Sequence, residues 1–145
     1  MSIIKDIRAF TVDSGKKSTD YTSQPKGHWI TDTLVANPMA IYPEYRGSRT
    51  SWGIGVLGSV VVEVELENGV IGVGISTAGP PGCWLIEHHL KQFAIGQNVT
   101  NVELIWDQMW RASMPYGRKG ITIHAISAID LAIWDAMGKD AGKPV

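Results

Sequence analysis

At 145 residues, 44% of them hydrophobic and 19% charged, the chain has material for a globular core and is not a disordered tail. Thirteen basic against fourteen acidic residues, a net charge of −1 without a long run of either sign, exclude the electrostatic footprint of a nucleic-acid or anionic-membrane binder. The single cysteine, Cys83, can form neither an internal disulfide nor a thiolate metal cage, and the start Met1-Ser-Ile-Ile-Lys-Asp-Ile-Arg8 has no cleavage pattern and no membrane span, so the cytoplasm is the expected compartment.

In chain order, Ile3 to Val12 is rich in β-branched residues and predicts a first strand. Residues 13–55 show no sustained period and are sprinkled with Gly, Pro and aromatics; so long an irregular segment points to a binding loop or lid. Its polar and aromatic members, among them Tyr21, Thr22, His28, Tyr45, Arg46 and Arg49, suit an anionic, hydroxyl-rich ligand. From Val60 to Ile75 two strands flank Asn68-Gly69, the dipeptide that best tolerates a two-residue type I′ turn. That loop sets Leu66 opposite Ile71, Val64 opposite Val73 and Val62 opposite Ile75 on one apolar face, with Glu63, Glu65, Gly72 and Gly74 on the reverse.

Helical spacing follows. Cys83, Ile86, Leu90 and Phe93 make the stripe of a first helix after Gly82. Asn101 is the expected N-cap of a second, with Val102, Ile105, Met109 and Ala112 as its stripe. A third begins near Ile121, with Ile126, Ile129, Ile133 and Met137 on one stripe and Ala125, Ala128 and Ala132 on a flat neighbour that lets another element approach; Gly138 and Gly142 are expected to end it. Strands followed by helices give an α+β fold, a three-stranded antiparallel sheet with a helical bundle on it.

Little catalytic chemistry is legible. No His-x-x-x-His, Glu-x-x-His or paired-Cys spacing offers a metal site, no Gly-x-Ser-x-Gly elbow is present, and the Gly-rich run Gly53-Ile-Gly55-Val-Leu-Gly58 precedes a strand rather than opening a helix. Glu63 and Glu65 read as a solvated strand face, Asp130, Asp135 and His124 as structural groups of the third helix. Arg49, between a Tyr-rich stretch and Trp52, carries a guanidinium fork that suits a carboxylate and is the best candidate contact; Arg46 ranks below it.

The run Ala125-Ile-Ser-Ala-Ile-Asp130-Leu-Ala-Ile-Trp134-Asp135-Ala-Met-Gly138-Lys-Asp-Ala-Gly142-Lys-Pro144-Val145 resembles the end of the capping domain in the enolase superfamily, mandelate-racemase-like branch. Gly27-His28-Trp29-Ile30, Ser48-Arg49-Thr50-Ser51-Trp52, Ile75-Ser76-Thr77-Ala78-Gly79 and Trp106-Asp107-Gln108-Met109 narrow the resemblance to the L-rhamnonate dehydratase family. The resemblance implies that residues 1–145 are an N-terminal capping domain, that the segment 13–55 covers a substrate, and that a (β/α) barrel follows residue 145. It further implies Mg²⁺ held by barrel carboxylates, a barrel His-Asp dyad that removes the proton next to the substrate carboxylate, loss of the β-hydroxyl to give a 2-keto-3-deoxy sugar acid, and a homo-oligomer. On that view no catalytic residue and no metal ligand lies in this chain, which alone should be inactive. Its partners are an acid sugar and its own barrel, with no nucleic acid and no membrane.

Arg49 matches the substrate-contacting arginine of the family's Ser-Arg-x-Ser motif, and His28 belongs to its His-Trp pair. The family's other cap contact, a histidine six positions before that pair, is Thr22 here. A hydroxyl has neither the charge nor the reach of an imidazole, which leaves acid sugars of the L-lyxonate or L-mannonate type open beside L-rhamnonate. A racemase or cycloisomerase of the same superfamily, and a small non-catalytic protein that binds through the long segment, are the alternatives.

Overall fold

The computed structural model describes residues 2–12, 38–46 and 56–145. The chain divides into two compact units, Met1–Asp13 with Gly58–Val145, and Ser14–Leu57. In the first, β1 (Ile4–Val12), β2 (Ser59–Leu66) and β3 (Ile71–Ser76) form an antiparallel sheet in the order β1-β2-β3. Helices α1 (Gly79–His88), α2 (Val102–Ser113) and α3 (Ile121–Asp140) complete it. The α+β architecture is the one expected.

The hairpin register is not. Glu65 stands opposite Ile71, Val64 opposite Gly72 and Val62 opposite Gly74, one residue from the expected pairing. The Leu66 amide donates to the Val70 carbonyl at 2.9 Å and the Gly69 amide to the Leu66 carbonyl at 2.9 Å, so the loop is three residues long, Glu67-Asn68-Gly69. Its last residue, Gly69, has φ +85°, the left-handed conformation such loops require. Val62, Val64 and Leu66 keep their place in the core, but Gly72 and Gly74 now share their side of the sheet and are buried, while Ile71, Val73 and Ile75 are exposed.

The physical reason is α3. A Cβ on Gly72 would overlap the Ala132 carbonyl oxygen and the Ala136 amide nitrogen, and one on Gly74 would overlap the Ala128 carbonyl oxygen. The helix lies on β3 almost backbone to backbone, with Ala128, Ala132 and Ala136 fully buried at the contact. Counting apolar residues favours the two-residue loop, whereas the space under α3 admits only glycine. The flat alanine stripe therefore does what its spacing predicts, and β3 is its partner.

Around this contact Ile4, Ile7, Val60, Ile86, Ile105 and Ile129 are among the side chains with no exposure at all, forming one core between sheet and helices. The first helix starts four residues earlier than expected, with Pro80 and Pro81 in its first turn, where a missing amide costs nothing. It stops at His88; His89 (φ −138°, ψ −51°) turns the chain into a short 3₁₀ segment, Leu90–Phe93. Asn101 occupies the N-cap position of α2, but its side chain makes no capping bond and donates to Gln97 Oε1 at 3.3 Å instead. Gly138 does not end α3: it is buried inside the helix, where Lys143 O and Val145 fold back within 2.9 Å of the place a Cβ would take, and the reversal falls at Gly142, φ +62°. By length and composition α3 is apolar enough to cross a membrane, yet half of it is buried in the unit, as in a globular core helix.

Gly72→Ala and Gly74→Ala should each lower stability by about 3 kcal/mol, since rigid backbone would have to move. Gly69→Ala, with open space around it, should cost about 1 kcal/mol for its left-handed backbone. Chemical denaturation of the three variants checks the order; equal losses would contradict it.

Candidate functional site

Arg49, Thr22 and His28, the contacts expected from the sequence, lie outside the described residues. Within the segment that carries them, Pro38–Ile41 and Pro43–Tyr45 form two short 3₁₀ turns joined at Tyr42, whose ring meets that of Tyr45 edge to face at 6.4 Å between centroids. Arg46 Nε donates to the Ala40 carbonyl at 3.1 Å, tying the second turn back to the first.

In the first unit the titratable groups divide into those with a partner and those without. On the open face of the sheet Glu65 takes Lys5 at 2.6 Å and Glu63 takes Arg8 at 3.2 Å, which is the solvated surface expected of them. The hydrogen bond and charge of Lys5 hold the Glu65 carboxyl below its ordinary range. His124 Nδ1 lies 3.2 Å from Ser76 Oγ and 3.4 Å from Thr77 Oγ1, so it links the end of β3 to the first turn of α3. His89 Nδ1 lies 2.6 Å from the Tyr116 hydroxyl, whose pKa burial pushes up, and His88 packs on Trp84. The two adjacent histidines thus point to different neighbours, His88 at the end of the helix and His89 where the chain turns out of it.

Three carboxylates have a basic partner four residues on: Glu87 with Lys91 (2.5 Å), Asp107 with Arg111 (2.7 Å) and Asp135 with Lys139 (2.6 Å). Asp130 has no such partner. It lines a cleft of about 280 Å³ with Val102, Glu103, Trp106 and Trp134, and burial raises its pKa. A second cleft, about 390 Å³, lies between Pro81, Trp84, Leu85, Tyr116, Ile121 and Thr122. Neither gathers a nucleophile with a base, and among the described residues no three His, Cys, Asp or Glu side chains are placed to hold a metal. The described part of the chain offers contacts and packing surfaces.

Because its folded pKa stands above the unfolded one, ionised Asp130 opposes folding at neutral pH, and the penalty disappears as pH falls through the raised value. Asp130→Asn should therefore give a small rise in Tm at about pH 7 that vanishes at about pH 3, where ordinary carboxyls are protonated as well. Thermal melts of variant and wild type at the two pH values decide it; a lower Tm for the variant at neutral pH would show the charge to be paired.

Comparison with known proteins gives the setting. Residues 34–145 match the family described as mandelate racemase / muconate lactonizing enzyme, N-terminal domain. L-rhamnonate dehydratase of Saccharopolyspora erythraea is 54% identical over 142 residues, 98% of this chain and 36% of that protein. The crystal structure of rhamnonate dehydratase from Gibberella zeae complexed with Mg superposes with a TM-score of 0.79 at 43% identity, covering 97% of this chain and 34% of the other. L-talarate dehydratase from Polaromonas, complexed with Mg and L-glucarate, superposes with a TM-score of 0.51 at 30% identity over 58% of this chain and 24% of its own. The chain spans about a third of the length of the relatives it matches.

Proposed function

Since the chain belongs to the mandelate racemase / muconate lactonizing enzyme N-terminal domain family, we propose that it serves as the cap of a Mg²⁺-dependent acid-sugar dehydratase, with L-rhamnonate as the foremost substrate. The observation that carries this reading is the match to L-rhamnonate dehydratases over 97–98% of the chain. The similar rhamnonate dehydratase of Gibberella zeae is complexed with Mg, and in this reading the barrel holds Mg²⁺, where it would offset the charge that builds next to the substrate carboxylate when a proton is removed.

The work assigned to this chain is recognition. Arg49 presents two parallel N–H groups to a carboxylate or to vicinal hydroxyls, a match in geometry as well as charge. Thr22 supplies a hydroxyl where the resembling enzymes have an imidazole, and His28, of the His-Trp pair, is the third candidate contact. The barrel is the partner that covers exposed apolar surface of the cap, to which Trp84, Leu104 and Met114 contribute. A cytoplasmic homo-oligomer is the setting in which we place it, consistent with Cys83 as a free thiol.

Thr22 favours a second substrate reading, a dehydratase for an L-lyxonate- or L-mannonate-type acid. Both readings are tested on the enzyme that carries this cap with its barrel, assayed with the three acids and Mg²⁺. Release of a 2-keto-3-deoxy acid, abolished by EDTA, is expected, and its absence with every acid sugar would overturn the proposal. Arg49→Ala should lower kcat/KM by roughly 10- to 100-fold, the scale of a lost charge-assisted contact, whereas Glu65→Ala should leave it unchanged. Thr22→His should raise turnover of L-rhamnonate if the hydroxyl marks a different substrate, and should not if L-rhamnonate is already the best one.

A further inference from the structure

A three-stranded sheet has two edges, and each presents outward backbone amides that can pair with a strand of another molecule. Here the same device caps one outward amide on each edge. On β1 the Ala9 amide donates to Glu87 Oε1 of α1 at 2.7 Å, and Lys91 Nζ holds the other carboxylate oxygen at 2.5 Å. On β3 the Val73 amide donates to Asp135 Oδ2 of α3 at 2.7 Å, with Lys139 Nζ on the same oxygen at 2.6 Å. Lys139 also donates to the Ile71 carbonyl at 2.9 Å, so it covers an outward acceptor beside the outward donor.

The β1 edge has further partners in the turn at 96–97 and in its own Asp6. The Ile4 amide donates to the Gln97 carbonyl and the Ile4 carbonyl accepts from the Gly96 amide, both at 2.9 Å, and the Ile7 amide is taken at 2.8 Å by its neighbour Asp6. Strand β3 has no such resources, for its sequence Ile-Gly-Val-Gly-Ile-Ser contains no charge and no proline. Its outward side chains Ile71, Val73 and Ile75 are exposed and apolar, which is the profile of a strand that recruits another. The pair Asp107–Arg111 has the same spacing on α2 but meets no strand, so the i,i+4 motif alone does not explain the other two.

We propose that Glu87–Lys91 and Asp135–Lys139 are edge guards, which keep the sheet from adding a strand of a second copy of this chain. The guard on β3 is the more consequential, because nothing on that strand would replace it. The inference does not depend on which reaction the enzyme catalyses.

The test is light scattering of the chain over a range of concentrations. Asp135→Ala should raise the apparent mass above that of the wild type, increasingly with concentration, and Glu87→Ala with Asp135→Ala should raise it further. Asp135→Asn, which keeps an acceptor oxygen, and Asp107→Ala, which removes a helix pair away from the edges, should match the wild type. A folded Asp135→Ala chain with wild-type mass at every concentration would overturn the proposal, as would association of Asp135→Asn to the same extent. If Asp135→Ala does not fold, Lys139→Ala uncovers the Ile71 carbonyl and releases the carboxylate more gently; increased association then supports the guard, and unchanged mass refutes it.

Discussion

The contact on which the structure turns is the approach of α3 to β3. Two glycines on the strand and three alanines on the helix let backbone meet backbone, and every larger feature follows from that spacing. It fixes the hairpin loop at three residues, because only that register puts Gly72 and Gly74 beneath the helix. It turns Ile71, Val73 and Ile75 outward. It also brings Asp135 and Lys139 within reach of the edge of β3, since the helix lies close enough for short side chains to touch the strand's backbone. Burial of apolar area alone would not select this arrangement; close packing does.

The long segment between β1 and β2 departs from the same sheet. The ladder between β1 and β2 ends at Val12 opposite Ser59, so the chain leaves the sheet and returns to it at one rung. Both ends of the segment are thereby fixed to hydrogen-bonded strands. At this end of β3, Ser76 and Thr77 meet His124 of α3, which adds a polar tie between sheet and helix.

Much of the fold was legible in the sequence and the exceptions share a cause. Strand and helix positions followed from period and β-branching, and the alanine stripe announced a close neighbour. The register of β3 did not, because Asn68-Gly69 fits a two-residue loop equally well and the competing constraint lies sixty residues away in α3. Gly138 looked like a stop signal for the same reason: the returning residues Lys143 and Val145, not the end of the helix, demand its lack of a side chain. Asn101 was placed at the right position, yet Gln97 drew its amide away from the cap. The spacing of Glu87 to Lys91 and Asp135 to Lys139 was visible, but that their carboxylates cap strands depends on tertiary packing. As for recognition, chemistry pointed to Arg49 and resemblance to Thr22 and His28, and no period or core pattern ties those three together.

We propose that this cap closes over an acid sugar and grips it with Arg49. A crystal structure of the cap with its barrel, Mg²⁺ and a bound acid sugar tests it most directly. The account predicts the Arg49 guanidinium within about 2.7–3.2 Å of a carboxylate or hydroxyl oxygen of the ligand. An Arg49 that instead pairs with a carboxylate of the protein, with the ligand out of its reach, would contradict it.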